Sequence, residues 1–280
     1  MADRPTIQRP ASEYIRTLPK GRIGRAKISS IRFSSDWKLL PGHWIIPVDP
    51  QLDSKLELNS TDKIHYFAAF SGEWAKAIAK QVAYVKATDI AKSFVEKLKE
   101  SPGKITLIEQ KPAEIDSHKI NEFDWSVSFE PYPALTIGLE DIARNSLLNK
   151  KGLILIFAQN IDKYSPEFNY INRLKKIAKI YNIQFEIKTQ KIYVKNNTGL
   201  TGFEPHTILY LRTNPETQKK AELDILIDDA IYTRPEGTSV NKVITNLAKR
   251  LNLTLKELEE SLARIRKLIR LRYFDPEELS

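Results

Sequence analysis

The 280-residue chain has no cysteine at all. Disulfides, thiol nucleophiles, iron–sulfur clusters and cysteine-held zinc are therefore excluded, and a reducing compartment fits. Histidine is scarce too. His43, His65, His118 and His206 never stand at strand or helix spacing from one another, which argues against zinc and against a His-led triad. Glycine numbers only ten. No Gly-rich phosphate loop occupies the 158–170 turn, so a dinucleotide or P-loop site is disfavoured. There is no G-x-S-x-G nucleophile elbow and no long internal repeat. The longest apolar run, Leu153–Ala158, is far too short to cross a bilayer. The opening MADRPTIQRP has no apolar segment of the secretory kind, and cytoplasmic residence is the expectation.

Positive charge is what the chain does have. Its 44 Lys and Arg outweigh 35 Asp and Glu by nine. Eight of the basic side chains lie in the first 32 residues, against Asp3 and Glu13. Clustered cations attract polyanions, so DNA or RNA is the expected partner. Pro5, Pro10 and Pro19 argue against regular structure in this arm. Residues 1–26 are read as a basic, Pro-broken arm.

Beyond the arm, apolar periodicity predicts an α/β protein. Its N-terminal half is mixed α+β (27–150), a strand–helix–strand unit follows (151–233), and a helical pair closes the chain (238–280). Strands are expected at Lys27–Phe33, Ile45–Val48, Ile64–Phe70, Ile105–Glu109, Phe123–Phe129 and Leu135–Leu139. A helical stretch, in one piece or two, is expected over Glu73–Lys99, with Trp74, Ile78, Val82 and Val85 on one stripe. The continuous run Leu153–Ala158 reads as a strand covered on both faces. Asn169–Tyr181 has helical spacing and Ile183–Ile187 reads as a strand, which together suggest a crossover between parallel strands. Thr207–Leu211 and Leu223–Ile227 add two more.

The C-terminal signals are the clearest. Ser239 can cap a helix striped by Val240, Val243, Ile244, Leu247 and Leu251, and Asn252 breaks it. Thr254 and Glu257 form a T-x-x-E capping box ahead of Leu255, Leu258, Leu262, Ile265 and Ile269. The run ITNLAKRLNLTLKELEESLARIRKLIRLRYF resembles helix-turn-helix modules of the winged type over about 40 residues. Such modules set their second helix in the major groove. Here that helix begins with three glutamates, and its positive charge lies at the far end, in Arg264, Arg266, Lys267, Arg270 and Arg272. The alternative is a helix that docks on the core or on another subunit.

Candidate chemistry is thin. PD-(D/E)xK nucleases pair an acid that holds Mg²⁺ with a Lys two residues on, both on one strand face. Glu109–Lys111 and Glu186–Lys188 match that half of the pattern. Neither has a clear upstream Asp at a hairpin, although Asp162 is available to the second. Asp224, Asp228 and Asp229 with Glu222 form a further acidic group, read either as a metal site or as strand-end acids meeting lysines. Phe33, Trp37 and Trp44 interleave with Arg32, Lys38 and His43, as in single-strand binders or as in a small β core.

The preferred expectation is a non-catalytic protein that binds nucleic-acid backbone, with no cofactor, within a nucleic-acid-processing or defence complex. Arg16, Lys20, Arg22, Arg25, Lys27 and Arg32 of the arm and the five basic residues of the last helix are the expected contacts. The alternatives are an Mg²⁺-dependent nuclease using Glu109 and Lys111, and an interaction subunit for an acidic protein partner. No membrane insertion is expected.

Overall fold

In the computed structural model the described residues are 45–69, 72–89, 105–109, 122–158, 168–196 and 199–273. In chain order the elements are β1 (Ile45–Pro47), α1 (Leu52–Lys55), β2 (Lys63–Phe67), α2 (Glu73–Ala79), β3 (Tyr84–Asp89), β4 (Ile105–Glu109), β5 (Trp125–Phe129) and α3 (Tyr132–Ser146). Then come β6 (Gly152–Phe157), α4 (Phe168–Tyr181), β7 (Phe185–Asn196), β8 (Thr201–Arg212), α5 (Pro215–Tyr232), α6 (Val240–Leu251) and α7 (Leu255–Tyr273).

The strands form one eight-stranded sheet in the order β4-β3-β2-β5-β6-β8-β7-β1. The five strands from β4 to β6 are parallel to their neighbours. β8 is inserted antiparallel between β6 and β7, and β1 pairs antiparallel with β7 at the edge. The α/β class expected from periodicity is the one observed.

Both faces of the sheet are covered, and the strand sequences show why. Along β6, Leu153, Leu155 and Phe157 join one core while Ile154 and Ile156 join the other. β8 alternates likewise, with Leu209 and Leu211 opposed to Ile208 and Tyr210. Period-2 geometry makes a continuous apolar run bury both ways. One face carries α1 and α2 through Leu52, Leu56, Trp74 and Ile78. The opposite face carries α3 to α7, including Leu139, Leu174, Ile225, Leu247 and Leu268.

Three expected elements are corrected. Glu73–Lys99 is not helical throughout: α2 ends at Ala79 and a strand, β3, occupies Tyr84–Asp89. Leu135–Leu139 lies inside α3, whose first turn holds Pro133, a residue suited to a helix start. Leu223–Ile227 lies inside α5, where its alternation mimics a strand. The missed signal is Asn214-Pro215: the Asn214 side chain accepts from the Thr217 amide at 2.9 Å, and proline opens the helix. β6 and β7 are parallel as expected, but β8 lies between them. The Lys27–Phe33 strand and the 1–26 arm lie outside the described residues.

The helical pair forms as its caps predict. Ser239 accepts from the Lys242 amide, and Asn252 takes the left-handed conformation at φ 51°. Thr254 and Glu257 bond reciprocally, amide to side chain, at 2.8 and 3.2 Å. What the pair does in the fold is a correction to the helix-turn-helix resemblance. Ile244 and Leu247 of α6, with Ile265, Leu268 and Leu271 of α7, are buried. Leu247 and all three of the α7 residues belong to the core beneath α3, α4 and α5. The stripe is a docking face.

His65, in β2, gives the fold a pH dependence. Its Nε2 lies 3.1 Å from the Thr88 hydroxyl, and its Nδ1 has no partner. Burial, with the Lys86 charge adding to it, pushes the imidazole from 6.5 down to about 3. A histidine held neutral in the fold but protonated in the unfolded chain stabilises fully above pH 6.5 and less as the pH falls toward 3. The loss is about 1.4 kcal/mol per pH unit. Denaturant titrations at pH 7 and pH 5 should show wild type losing about 2 kcal/mol more than His65→Phe. Equal losses would contradict this assignment.

Candidate active site

Parallel strands bring the carboxyl ends of β2, β3, β5 and β6 to one edge of the sheet. The chain runs outward from β2 through β3 to β4, then crosses back to β5 and continues to β6. The β2/β5 junction is therefore a topological switch point, where open α/β sheets leave a crevice for ligands.

The residues leaving these strands have unusual backbone. Ala68, directly after β2, has φ 51°, and Glu130, directly after β5, has φ 45°. Left-handed backbone at residues with a Cβ costs about 1–3 kcal/mol each and gathers at ligand sites. Hydrogen bonds across the strands hold both turns. The Ala69 amide donates to the Thr88 carbonyl at 3.1 Å, and the Ser128 hydroxyl donates to the Phe67 carbonyl at 2.6 Å. The Glu130 amide donates to the Ile156 carbonyl at 2.8 Å, and Glu130 Oε1 accepts from the Ala158 amide at 3.3 Å. Gly72, at φ 77°, then admits the chain into α2. Asp89 closes β3 one strand away.

An aromatic wall stands beside Glu130. Trp74 of α2 stacks on Phe129 with centroids 4.3 Å apart and planes 12° apart, and its indole N–H donates to the Ile45 carbonyl at 2.9 Å. His206 of β8 is fully buried against that wall, its ring 5.6 Å from Trp74 and 6.2 Å from Phe129. Its Nδ1 lies 2.9 Å from the Glu204 carbonyl, which can only accept. The hydrogen is thus on Nδ1, and Nε2 is a bare acceptor without a partner. Burial pushes this imidazole below its ordinary value, so it stays neutral. The edge carries Glu130 at the turn after β5, backed by a packed aromatic wall that encloses a neutral imidazole. Glu130 is the group of this set that can exchange a proton with a ligand at the edge.

The residues singled out from sequence lie elsewhere. Glu109 ends β4, the last strand at that side of the sheet, and Lys111 lies outside the described residues. Glu186 and Lys188 share a face of β7, but in an ion cluster. Lys188 pairs with Glu57 and Glu186, and Arg212 pairs with Glu57 at 2.5 Å and Glu186 at 3.0 Å. The hydrogen bond from Arg212 holds the Glu186 carboxyl below its usual range. Asp224 and Asp228 face one way because they are four apart on α5, not because they alternate on a strand. They bind Arg264 and Arg144 at 2.8 and 3.0 Å. Among the described residues no three His, Asp or Glu side chains converge as a metal site.

Of the expected nucleic-acid contacts, Arg264 is turned inward onto Asp224, while Arg266, Lys267 and Arg270 are exposed on α7. The side chain of Arg272, the arm residues Arg16, Lys20, Arg22, Arg25, Lys27 and Arg32, and the Phe33–Trp44 aromatics lie outside the described residues. Among the described residues no helix is long and apolar enough to cross a membrane.

No protein-family model and no curated protein matches this sequence. Solved structures match its fold at low identity. A SAM-dependent methyltransferase from Aquifex aeolicus is 13% identical, with a TM-score of 0.40 over 60% of this chain and 90% of that one. The 23S rRNA methyltransferase ErmE is 14% identical, with a TM-score of 0.38 over 80% of this chain and 99% of its own. Precorrin-6y C5,15-methyltransferase from Geobacter metallireducens is 14% identical, with a TM-score of 0.40 over 57% and 85%. At such scores the likeness adds no argument to the one the strand order makes.

That strand order, five parallel strands followed by an inserted antiparallel one, is a Rossmann-like arrangement. The expected non-catalytic nucleic-acid-binding subunit, Mg²⁺-dependent nuclease and acidic-partner subunit are withdrawn: several of the solved structures that share this fold carry methyltransferase names. The DNA-binding helix-turn-helix goes with them, since its stripe is buried.

Sequence reading missed Ala68, Gly72, Asp89, Phe129, Glu130 and His206. The β2–α2 turn has no Gly-rich signature, and the helical spacing of Trp74, Ile78, Val82 and Val85 hides the β2–α2–β3 unit. Tyr84–Asp89 carries the available signal, because Tyr84, Val85 and Thr88 are residue types enriched in strands.

Proposed function

We propose that this protein is a methyltransferase that uses S-adenosylmethionine at the carboxyl edge of the sheet and methylates a nucleic acid. The observation that carries this reading is the switch point between β2 and β5, with Asp89 closing the adjacent strand. In nucleotide-binding sheets an acid following the first βα turn receives the ribose hydroxyls. In this chain Asp89 is the acid that closes the strand after that turn.

The turn chemistry favours this cofactor over a dinucleotide. A pyrophosphate needs glycines where the backbone must come close, and here Ala68 and Ala69 add methyl groups. A sulfonium nucleoside has no phosphates and makes no such demand. When bound, the cofactor supplies an electrophilic methyl group. The chain's own residues do the rest. Asp89 would hold the ribose, and Trp74 and Phe129 would exclude water from one side of the edge. Glu130, on the turn after β5, would take a proton or accept hydrogen bonds from the methyl acceptor. The excess of nine positive charges favours a polyanionic acceptor.

Calorimetric titration with S-adenosylmethionine and S-adenosylhomocysteine tests the reading. Wild type should bind both and ignore NAD. Asp89→Ala should bind roughly 10–100-fold more weakly, the worth of hydrogen bonds to a charged group. Failure of wild type to bind either sulfur nucleoside at millimolar concentration would overturn it.

A further inference from the structure

β7 and β8 are each 12 residues long, and their turn end extends past the parallel strands, with β1 paired along the outer side of β7 at Val194–Asn196. β6 pairs with β8 only as far as Thr207, so residues 201–206 run past it with β7 alone beside them on the ladder. Because β7 is parallel to β6, this overhang projects from the carboxyl edge, the same edge as the candidate active site.

The two faces of the overhang differ. One holds Ile192 and Val194, both buried in the core under α1 and α2. The other holds Thr189, Lys191, Tyr193 and Lys195 of β7 opposite Thr207, Pro205, Phe203 and Thr201 of β8. Apart from Tyr193, which is half-buried, and Thr207, these residues are exposed. Among the described residues these eight strand positions carry no carboxylate, since Glu204 pairs across to Ile192 on the opposite face; Asp49, which accepts from the Tyr193 amide at 2.8 Å, is neutralised by Lys55.

Tyr193 and Phe203 are direct cross-strand partners, with ring centroids 5.0 Å apart. Phe203 is 64% exposed, and Leu200 at the turn is 71% exposed. The aromatics are held in place. The Tyr193 hydroxyl donates to Thr201 Oγ1 at 2.9 Å, and the Lys55 ammonium stands 5.0 Å from the centre of the Phe203 ring. A large aromatic left in water on a rigid ribbon has not been spent on the core. With lysines on either side it is a stacking surface for bases with a cationic track for phosphates.

We infer that this face of the β7–β8 overhang docks single-stranded RNA and delivers it to the carboxyl edge. The inference deepens the proposed function by naming the acceptor and its surface, and it rests on that reading for delivery though not for binding. Unpaired bases are needed because only they expose a π-face to Tyr193 and Phe203. RNA is favoured over DNA because the Thr189 and Thr201 hydroxyls on the same face can meet 2′-hydroxyl groups.

The test is fluorescence anisotropy with labelled oligo-uridine on the full chain, without cofactor, alongside oligo-thymidine and an RNA duplex. Wild type should prefer the single-stranded RNA. Phe203→Ala should weaken it roughly tenfold, and Phe203→Trp should retain it. Lys191→Ala with Lys195→Ala should flatten the salt dependence. Because Phe203 is exposed, its variant should keep the wild-type melting temperature and its affinity for S-adenosylhomocysteine. Wild-type affinity in Phe203→Ala, or equal binding of DNA or duplex, overturns the inference. Absence of RNA binding also overturns it and leaves a protein partner for the face. Loss of cofactor binding by wild type with RNA binding intact would instead sink the methyltransferase reading alone.

Discussion

Replacing Asp224 with alanine is expected to destabilise the fold by about 3–5 kcal/mol, the range for breaking one side of a buried ion pair. Asp224 is fully buried at the centre of the helical layer. Its Oδ1 accepts from Ser261 Oγ at 2.6 Å and Arg264 Nη2 at 2.8 Å, and its Oδ2 accepts from Arg264 Nε and the Tyr181 hydroxyl, both at 2.9 Å. Burial and the Asp224 charge push the Tyr181 phenol well above its ordinary value, so it remains a donor. The alanine variant strands a guanidinium that is 12% exposed, together with two hydroxyls. The bidentate geometry makes this pair worth more than a surface bridge.

Denaturant unfolding should show that loss, and the melting temperature should fall by roughly 10 °C or more. Asp224→Asn should fall between, keeping some hydrogen bonds without the charge. A double variant, Asp224→Leu with Arg264→Met, should recover part of the loss, because buried pairs replaced by apolar residues are often neutral. A loss below about 1 kcal/mol in Asp224→Ala would place the residue among exposed ion pairs and refute this account.

The same pair explains how far the sequence could be read at the C-terminus. The caps at Ser239, Asn252 and Thr254–Glu257 are local, and they were legible because each satisfies its own backbone groups. The destination of the stripe was not, since nothing between 238 and 273 says that Arg264 will meet Asp224 from α5. The acidic partner was itself misplaced on a strand, because Leu223, Ile225 and Ile227 alternate. Local chemistry at Asn214-Pro215 outweighs that pattern, and the hydrophobic demand of α5 is met by Ala221, Ile225 and Ile227 with two aspartates neutralised in place.

The sheet shows the same division. Runs such as Leu153–Ala158 announce a strand because burial on both faces leaves no polar position. The order of the strands is a property of distant pairing, and so was the carboxyl edge. With β3 hidden in a supposed helix, Asp89 had no strand to end, and Ala68 and Glu130 had no signature, since neither is the glycine that left-handed backbone usually selects. His206 was visible only as one scattered histidine. Its bare Nε2 follows from the Glu204 carbonyl beside Nδ1, which periodicity cannot show.

Gly152→Ala is the second substitution with a large expected cost, about 3 kcal/mol or more. Gly152 opens β6, with β5 on one side through Trp125 and β8 on the other through Arg212. Its φ of +125° is a conformation that residues with a side chain rarely adopt. A Cβ there would lie 2.0 Å from the Leu211 carbonyl oxygen and 3.1 Å from its carbon. Those atoms belong to the β8 backbone, so relief requires the ladder to open at the middle of the sheet. Two other glycines separate the causes. Gly237, at φ +79° but with nothing near its Cβ position, should cost about 1 kcal/mol as alanine. Gly202, with open space and no positive φ, should change stability by less than about 0.5 kcal/mol. Denaturant midpoints ranked Gly152 below Gly237 below Gly202 are the expected result. Equal midpoints for the Gly152 and Gly237 variants would mean that close approach of β8 adds nothing to backbone conformation at this junction.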